Sequence, residues 1–321
     1  MKKPNIYITR NIPDHIIEPF KNTFDITMWK EANIPVPKEV LYEEAKKVDG
    51  LLCLLTEKIN QEFLQHASHL KIIANMAVGY DNIDVKAAKQ KGIVVTNTPD
   101  VLTETTADLT FALLMATARR LIEATNYIYE DKWGDWSPFM LAGSDIHNKT
   151  IGIVGMGRIG QAVARRAKGF NMKILYHNRT KNEHAGQELQ AAYVSFEKLL
   201  EQSDFVVSLI PLTEQTNNLF DKKAFEKMKE TAIFVNASRG GVVDEEALYN
   251  ALKNKIIHAA GLDVFKHEPI SSNHPLATLQ NVVLLPHIGS ASVATRERML
   301  TLCLENIQAV FKGDYPKTPV E

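Results

Sequence analysis

The sequence predicts an α/β protein with two parallel sheets, each covered by helices on both faces. Three observations carry that prediction. Short β-branched apolar runs alternate with amphipathic stretches along almost the whole chain. The alternation breaks near residue 100 and restarts at 150, and the restart carries a glycine-rich turn between a strand and a helix. Strand–helix alternation makes consecutive strands parallel, because each crossover helix returns the chain to the same end of the sheet. At 321 residues the length suits about two domains.

In the first block, NIYITR (5–10), DGLLCLL (49–55), LKIIANM (70–76) and GIVVTN (92–97) are predicted strands bounded by turn formers. Between them, VPKEVLYEEAKKV (36–48) and NIDVKAAKQKG (82–92) read as helices, the second closing on Gly92. TNTPD (96–100) is the break. TETTADLTFALLMATARRLIEATNYI (103–128) is then predicted as one long helix, with Ala and Leu all round it. A helix apolar on most sides must be buried on most sides, which places it between domains or at a subunit contact. WGDWSPFMLAGSDIHNK (133–149) is aromatic and irregular, and is expected to pack on another surface. The second block runs through TIGIVGMG (150–157), KILYHN (173–178), FVVSLI (205–210), AIFVNAS (232–238), HAAGLDV (258–264) and VVLLPH (282–287). These are the six strands that a dinucleotide-binding domain needs. ASVATRERMLTLCLENIQAVFKGD (291–314) is a closing helix that ends at Gly313.

Composition narrows the function. Hydrophobic residues make up 45% and charged residues 23%, and 37 basic against 38 acidic side chains leave a net charge of −1. A nucleic-acid coat or a polybasic membrane binder needs excess positive charge, so neither nucleic acid nor membrane is an expected partner. Cys53 and Cys303 sit in apolar runs and belong to no CxxC pair or Cys/His cluster. They read as buried hydrophobes in a reducing compartment, and no metal site is expected. MKKPNIYITR has no apolar stretch behind its lysines, and no run approaches the ~20 apolar residues of a membrane span. A cytoplasmic protein is expected.

IGIVGMGRIGQAVARRAKGF places Gly155, Gly157 and Gly160 in the G-x-G-x-x-G spacing, after a strand and opening a helix. The first glycine permits the tight turn, the second lets backbone approach a pyrophosphate, and the third allows close helix–strand packing. The helix N-terminus then offers free N–H groups to the phosphates. An NAD site places Asp or Glu about 20 residues along, to accept from the ribose 2′-OH. Here that place is Asn178, followed by Arg179, Thr180 and Lys181. A neutral amide does not repel a 2′-phosphate, and Arg179 can pair with one, so NADP(H) is preferred and NAD(H) is possible.

Three further runs lie just beyond predicted strands: NASRGGVVDEEAL (236–248), GLDVFKHEP (261–269) and LPHIGSA (285–291). Open α/β sheets bind ligands at the carboxyl ends of their strands. Arg239, Asp263, Glu268 and His287 are therefore expected to converge on one crevice. Reduction of a 2-keto acid needs such a set. An Arg fork binds the carboxylate and polarises the carbonyl, His delivers the proton, and a carboxylate holds the imidazole in its charged form.

The sequence resembles the D-isomer-specific 2-hydroxyacid dehydrogenase family, and within it the glyoxylate/hydroxypyruvate and 2-ketogluconate reductases. The resemblance covers nearly the whole chain, through LLTEKI, VGYDNID, TETTADLTFALLMATARR, GIVGMGRIG, VNASRGGVVDE, GLDVFKHEP and LPHIGSA. It implies that Arg239 binds the substrate carboxylate, His287 is the acid–base group, Glu268 is its partner and Asp263 holds the nicotinamide carboxamide. By the same resemblance the Val78 and Gly79 N–H groups clasp the carboxylate, Thr106 and Gly289–Ser290 lie beside the nicotinamide, Arg158 and Ile159 meet the pyrophosphate, and Pro211 and Ala237 line the cofactor groove.

The resemblance further implies a Rossmann cofactor domain (100–290) inserted in a flavodoxin-like substrate domain made of 1–99 plus 291–321, with a cleft between them. It implies a homodimer joined through the cofactor domain, with Trp136 near the partner's active site. The expected reaction is reduction of a small 2-keto acid, glyoxylate, hydroxypyruvate or 2-ketogluconate, to the D-2-hydroxy acid with NADPH. Phosphoglycerate and phosphite dehydrogenases and a nicotinamide-sensing corepressor share the architecture. Formate dehydrogenases pair the histidine with Gln, against Glu268 here. An end soon after Gly313 speaks against a regulatory domain, and the absence of long tails speaks against the corepressor.

Overall fold

A computed structural model describes residues 2–320. Their contacts divide the chain into two compact units, Met1–Leu102 with Ala291–Glu321 and Thr103–Ser290. The first of these stretches ends at the turn that closes on Leu102.

The first unit begins with β1 (Asn5–Ile8), α1 (Asp14–Ile17), β2 (Asp25–Met28), α2 (Lys38–Ala45), β3 (Gly50–Cys53), α3 (Gln61–His66), β4 (Ile72–Asn75), α4 (Val85–Gln90) and β5 (Val94–Thr96). All strands run parallel in the order β2-β1-β3-β4-β5, the doubly wound order of flavodoxin-like sheets. Strand β2 was not predicted. It is a half-exposed edge strand of four residues, too short and too polar to show a strand pattern. Side-chain alternation builds the two layers. Tyr7, Leu51, Cys53, Ile73 and Val95 pack with Leu41, Phe63, Leu64 and Ala88 of α2, α3 and α4. Asn60 and Asp84 cap α3 and α4 by accepting N–H bonds from Phe63 and Ala87.

The second unit holds α5 (Thr103–Ala118), α6 (Leu121–Tyr129), β6 (Thr150–Val154), α7 (Arg158–Gly169), β7 (Lys173–His177), α8 (Glu183–Leu189), β8 (Ala192–Tyr193), α9 (Phe196–Gln202), β9 (Phe205–Ser208), α10 (Lys222–Glu226), β10 (Ile233–Asn236), α11 (Glu245–Lys253), β11 (Ala259–Leu262) and β12 (Val282–Leu284). Its seven parallel strands are ordered β12-β11-β10-β9-β6-β7-β8. The six predicted strands are present, and β8 adds a two-residue edge strand beside β7. The order reverses between β6 and β9, which opens a crevice at their carboxyl ends. One face packs Ile151, Ile153, Val207 and Val235 against α5 and α7, and the other packs Val206, Phe234 and Leu262 against α9, α10 and α11.

The predicted 103–128 helix is in fact two. Arg120 takes a left-handed conformation (φ 54°), and the Ala118 carbonyl accepts from Ser144 N–H at 2.8 Å, which caps α5 where a longer helix would continue. Helix α5 owes its burial to the sheet of its own unit, with Leu113 and Thr117 against Gly261 of β11. Burying Leu113 and Leu114 contributes about 1.5–3 kcal/mol each. Helix α6, by contrast, buries no residue. The 133–149 excursion is irregular, as its sequence predicts. Within one chain, Trp136 and Phe139 are 78% and 86% exposed.

Helix α12 (Val293–Lys312) ends at left-handed Gly313 and returns the chain to the first unit. Phe311 meets Phe24 edge-on, and Val320 N–H bonds to Val95 O beside β5. Buried Asn306 ties Thr318 down through two hydrogen bonds. No helix among the described residues is long and apolar enough to cross a membrane.

Candidate active site

The glycine-rich turn follows β6. Gly155 has φ +106°, and a Cβ there would lie 2.7 Å from the Leu209 carbonyl. A Cβ on Gly160 would come within 2.1 Å of Gly155 O, so both positions exclude any side chain. Gly157 differs, since a Cβ there would meet nothing within 4 Å. No protein atom requires a glycine at 157, whereas a ligand lying against its backbone would. Helix α7 starts at Arg158 with no side-chain cap, leaving first-turn N–H groups for an anion. Arg158 is exposed and Ile159 half-buried at this end.

Asn178 follows β7, and its Oδ1 accepts from Met156 N–H at 2.7 Å. The Tyr193 hydroxyl donates to Asn178 O at 3.1 Å. The residue at the expected ribose position therefore also braces the glycine turn. Arg179 and Thr180 are exposed beside it.

The ends of β9 to β12 interlock. Ser208 and Ser238 hydroxyls lie 3.2 Å apart, and Ser238 Oγ donates to Asn236 Oδ1 at 2.8 Å. Asn236 Nδ2 donates to Arg239 O at 2.9 Å, which fixes the arginine's backbone. Gly240 packs on the β11–β12 connection so closely that a Cβ would fall 1.8 Å from Phe265 C. Ala237 is half-buried in this loop, and exposed Pro211 accepts from Thr216 through its carbonyl.

His287 and Glu268 form a pair, with Nδ1 2.8 Å from Oε2, and Glu268 Oε1 accepts from Phe265 N–H at 2.9 Å. His287 is left-handed (φ 54°), a conformation that costs a non-glycine residue about 1 kcal/mol. Its position is held by the next residue, whose N–H donates to Asp263 Oδ1 at 2.8 Å. Asp263 is 1% exposed, and a Cβ on Gly289 would sit 3.2 Å from its Oδ2 and 3.4 Å from Thr106 Cγ2. Thr106, Asp263 and Gly289 thus share one spot, with Ser290 next in the chain.

The two carboxylates move in opposite directions. Burial pushes Asp263 above the usual carboxylate range, more than the Ile288 N–H and His287 lower it. Burial also acts against Glu268, but the His287 hydrogen bond and charge, the Phe265 N–H and the Arg239 charge hold it below that range.

In the first unit, the turn after β4 carries Val78 and Gly79. Asn97 Nδ2 donates to Val78 O at 2.8 Å and Asn75 Nδ2 to Gly79 O at 3.0 Å. Both carbonyls are thereby pinned, which orients the intervening peptide.

Residues 111–289 match the family described as D-isomer specific 2-hydroxyacid dehydrogenase, NAD binding domain. A glyoxylate reductase of Korarchaeum cryptofilum is 52% identical over 315 residues, 98% of this chain and 95% of that protein. The chain belongs to the D-2-hydroxyacid dehydrogenase family. The TT0316 protein of Thermus thermophilus superposes with a TM-score of 0.92 at 41% identity, over 99% of this chain and 100% of that one. An NADPH-dependent glyoxylate/hydroxypyruvate reductase from Sinorhizobium meliloti, in complex with NADP and malonate, gives 0.85 at 34% identity, over 99% and 97%.

This D-2-hydroxyacid dehydrogenase is therefore an oxidoreductase that uses a nicotinamide cofactor. Sequence reasoning missed several residues that shape its site, notably Ser208, Asn236, Ser238 and Gly240. A polar residue closing an apolar strand, as Asn236 closes IFVN, was the available signal.

Proposed function

We propose that this dehydrogenase reduces a small 2-keto acid to the D-2-hydroxy acid with NADPH. Glyoxylate is the foremost substrate (its product, glycolate, is achiral), with hydroxypyruvate and 2-ketogluconate of the same type. The observation that carries the reading is the His287–Glu268 pair, set beside Arg239 and buried Asp263 at the carboxyl ends of one sheet. The names of the relatives support glyoxylate.

When bound, reduced nicotinamide supplies the hydride. The Gly155–Gly160 turn and the first turn of α7, with Arg158 and Ile159, hold the pyrophosphate. Pro211 and Ala237 line the groove. Thr106, Asp263, Gly289 and Ser290 would hold the carboxamide end of the nicotinamide. Arg239 forks onto the substrate carboxylate and draws charge from the carbonyl. The Val78–Gly79 turn, its carbonyls pinned by Asn97 and Asn75, offers N–H groups suited to a carboxylate oxygen. His287 Nδ1 faces Glu268, so Nε2 is the nitrogen that gives its proton to the carbonyl oxygen.

The NADPH preference rests on Asn178, Arg179 and Thr180. A carboxylate at 178 would repel a 2′-phosphate yet still accept from Met156 N–H. kcat/KM for glyoxylate with each cofactor tests both statements. The wild type should favour NADPH, and Asn178→Asp should move the ratio toward NADH by about tenfold or more. No turnover of glyoxylate, hydroxypyruvate or 2-ketogluconate would refute the function, and an unmoved ratio would refute the role of Asn178.

The second unit is the proposed dimer surface. Leu121, Ile122, Ile128, Tyr129, Trp133, Trp136 and Phe139 are exposed within one stretch of it, and apolar area of this kind favours a second copy. Sedimentation should find two chains per particle; a monomer at micromolar concentration would refute the dimer.

A further inference from the structure

The first unit contains a buried ion pair that the proposed reaction does not use. Arg10 follows β1 and Glu57 follows β3, at 5% and 4% exposure, with Arg10 Nη1 2.9 Å from Glu57 Oε1. Every lobe of the carboxylate is engaged. Oε1 also accepts from Thr56 Oγ1 at 2.7 Å, and Oε2 accepts from Thr9 Oγ1 at 2.7 Å and from Leu54 N–H at 2.8 Å. Arg10 Nη2 donates to Thr56 Oγ1 at 2.7 Å, so the pair closes the 54–57 loop on itself.

The bonding continues. Asn82 Nδ2 donates to the carbonyls of Leu54 and Glu57 at 3.0 and 3.1 Å. Asn82 and buried Asn75 exchange 3.4 Å contacts through their amides, and Asn75 Nδ2 reaches Gly79 O at 3.0 Å. One network thus joins the carboxyl ends of β1, β3 and β4 and ends on the Val78–Gly79 turn. A buried ion pair is weak evidence for stability, because apolar residues of similar volume often serve as well. What the pair supplies here is geometry, at the strand ends where such sheets take ligands.

We propose that Arg10, Glu57, Asn82 and Asn75 are positioning residues that fix the Leu54–Leu55 segment against the Val78–Gly79 turn, so that this segment selects 2-keto acids by the size of the group on the carbonyl carbon. The proposal rests on the reading that this turn holds the substrate carboxylate. Leu54 and Leu55 are half-buried and apolar, a surface that accommodates the hydrogen of glyoxylate better than the hydroxymethyl of hydroxypyruvate.

Two variants test it, Glu57→Gln and the double variant R10M/E57L, which leaves no charge buried alone. Both should raise the glyoxylate KM by about tenfold, with kcat within about threefold, and lower the glyoxylate-to-hydroxypyruvate preference. NADPH affinity, read by fluorescence titration, should not change. Amide hydrogen exchange across 76–82 should accelerate in both, far along the chain from either substitution. Wild-type KM or preference in a folded double variant would overturn the proposal, as would unchanged exchange across 76–82. If the wild type reduces no 2-keto acid, the reaction reading fails and the selectivity claim falls with it. The exchange arm still decides whether the network couples the two loops.

Discussion

His287→Ala is expected to lower kcat for glyoxylate reduction by about 10²–10⁴ while leaving NADPH binding intact. The expectation follows from how completely the ring is oriented. Glu268 accepts at Nδ1, its other oxygen is held by Phe265 N–H, and the ring's backbone is kept left-handed beside Asp263. With Nδ1 on Glu268, such a ring has one nitrogen left for a substrate. The sign with pH is fixed as well. Reduction takes up one proton and oxidation releases one, so falling pH favours reduction and rising pH favours oxidation. Burial works against the Glu268 charge, but the His287 hydrogen bond holds its carboxyl below the usual carboxylate range, so it stays ionised as the partner of the ring. Stopped-flow rates of the variant in both directions check this, and a variant with wild-type rates would remove His287 from the chemistry.

Arg239→Gln should lower kcat/KM for glyoxylate by about 10²–10³, with both terms affected. The guanidinium is asked both to hold the carboxylate and to stabilise charge developing on the carbonyl oxygen. Gln keeps a donor but loses the fork and the charge. Arg239→Lys should recover only part, because an ammonium cannot pair in two places at once. A change in KM alone would limit Arg239 to binding. Full activity in Arg239→Gln would exclude it from both roles.

Much of the fold was legible because its signals are local. The β-branched runs, the G-x-G-x-x-G spacing and the polar loops after apolar strands each lie within a dozen or so consecutive residues, and β1, β3 to β7 and β9 to β12 fall inside the predicted runs. Where the fold escaped prediction, the cause lies in distant partners. Nothing in ATARRLIE announces a break, since Arg119 and Arg120 are good helix formers; the break comes from Ser144 capping Ala118. β2 and β8 are strands because neighbours pair with them, not because their residues demand it.

The site divides in the same way. His287, Glu268, Arg239 and Asp263 were recognisable as chemistry-bearing residues after strands. Asn178 was read only as a neutral partner for a 2′-phosphate, yet its side chain also holds Met156 N–H, a bond that no sequence pattern reports. Arg10 and Glu57 lie 47 positions apart in short polar loops, and only tertiary structure buries them together.

The most direct measurement of the central claim follows the hydride itself. Glyoxylate is reduced in ordinary water with NADPH deuterated at C4, using each C4 diastereomer in turn, and the glycolate is examined by mass spectrometry. One diastereomer should place a single deuterium on C2 of glycolate and the other none, as direct transfer in an oriented site requires. Glycolate without deuterium from either diastereomer, or no glycolate at all, would contradict the account.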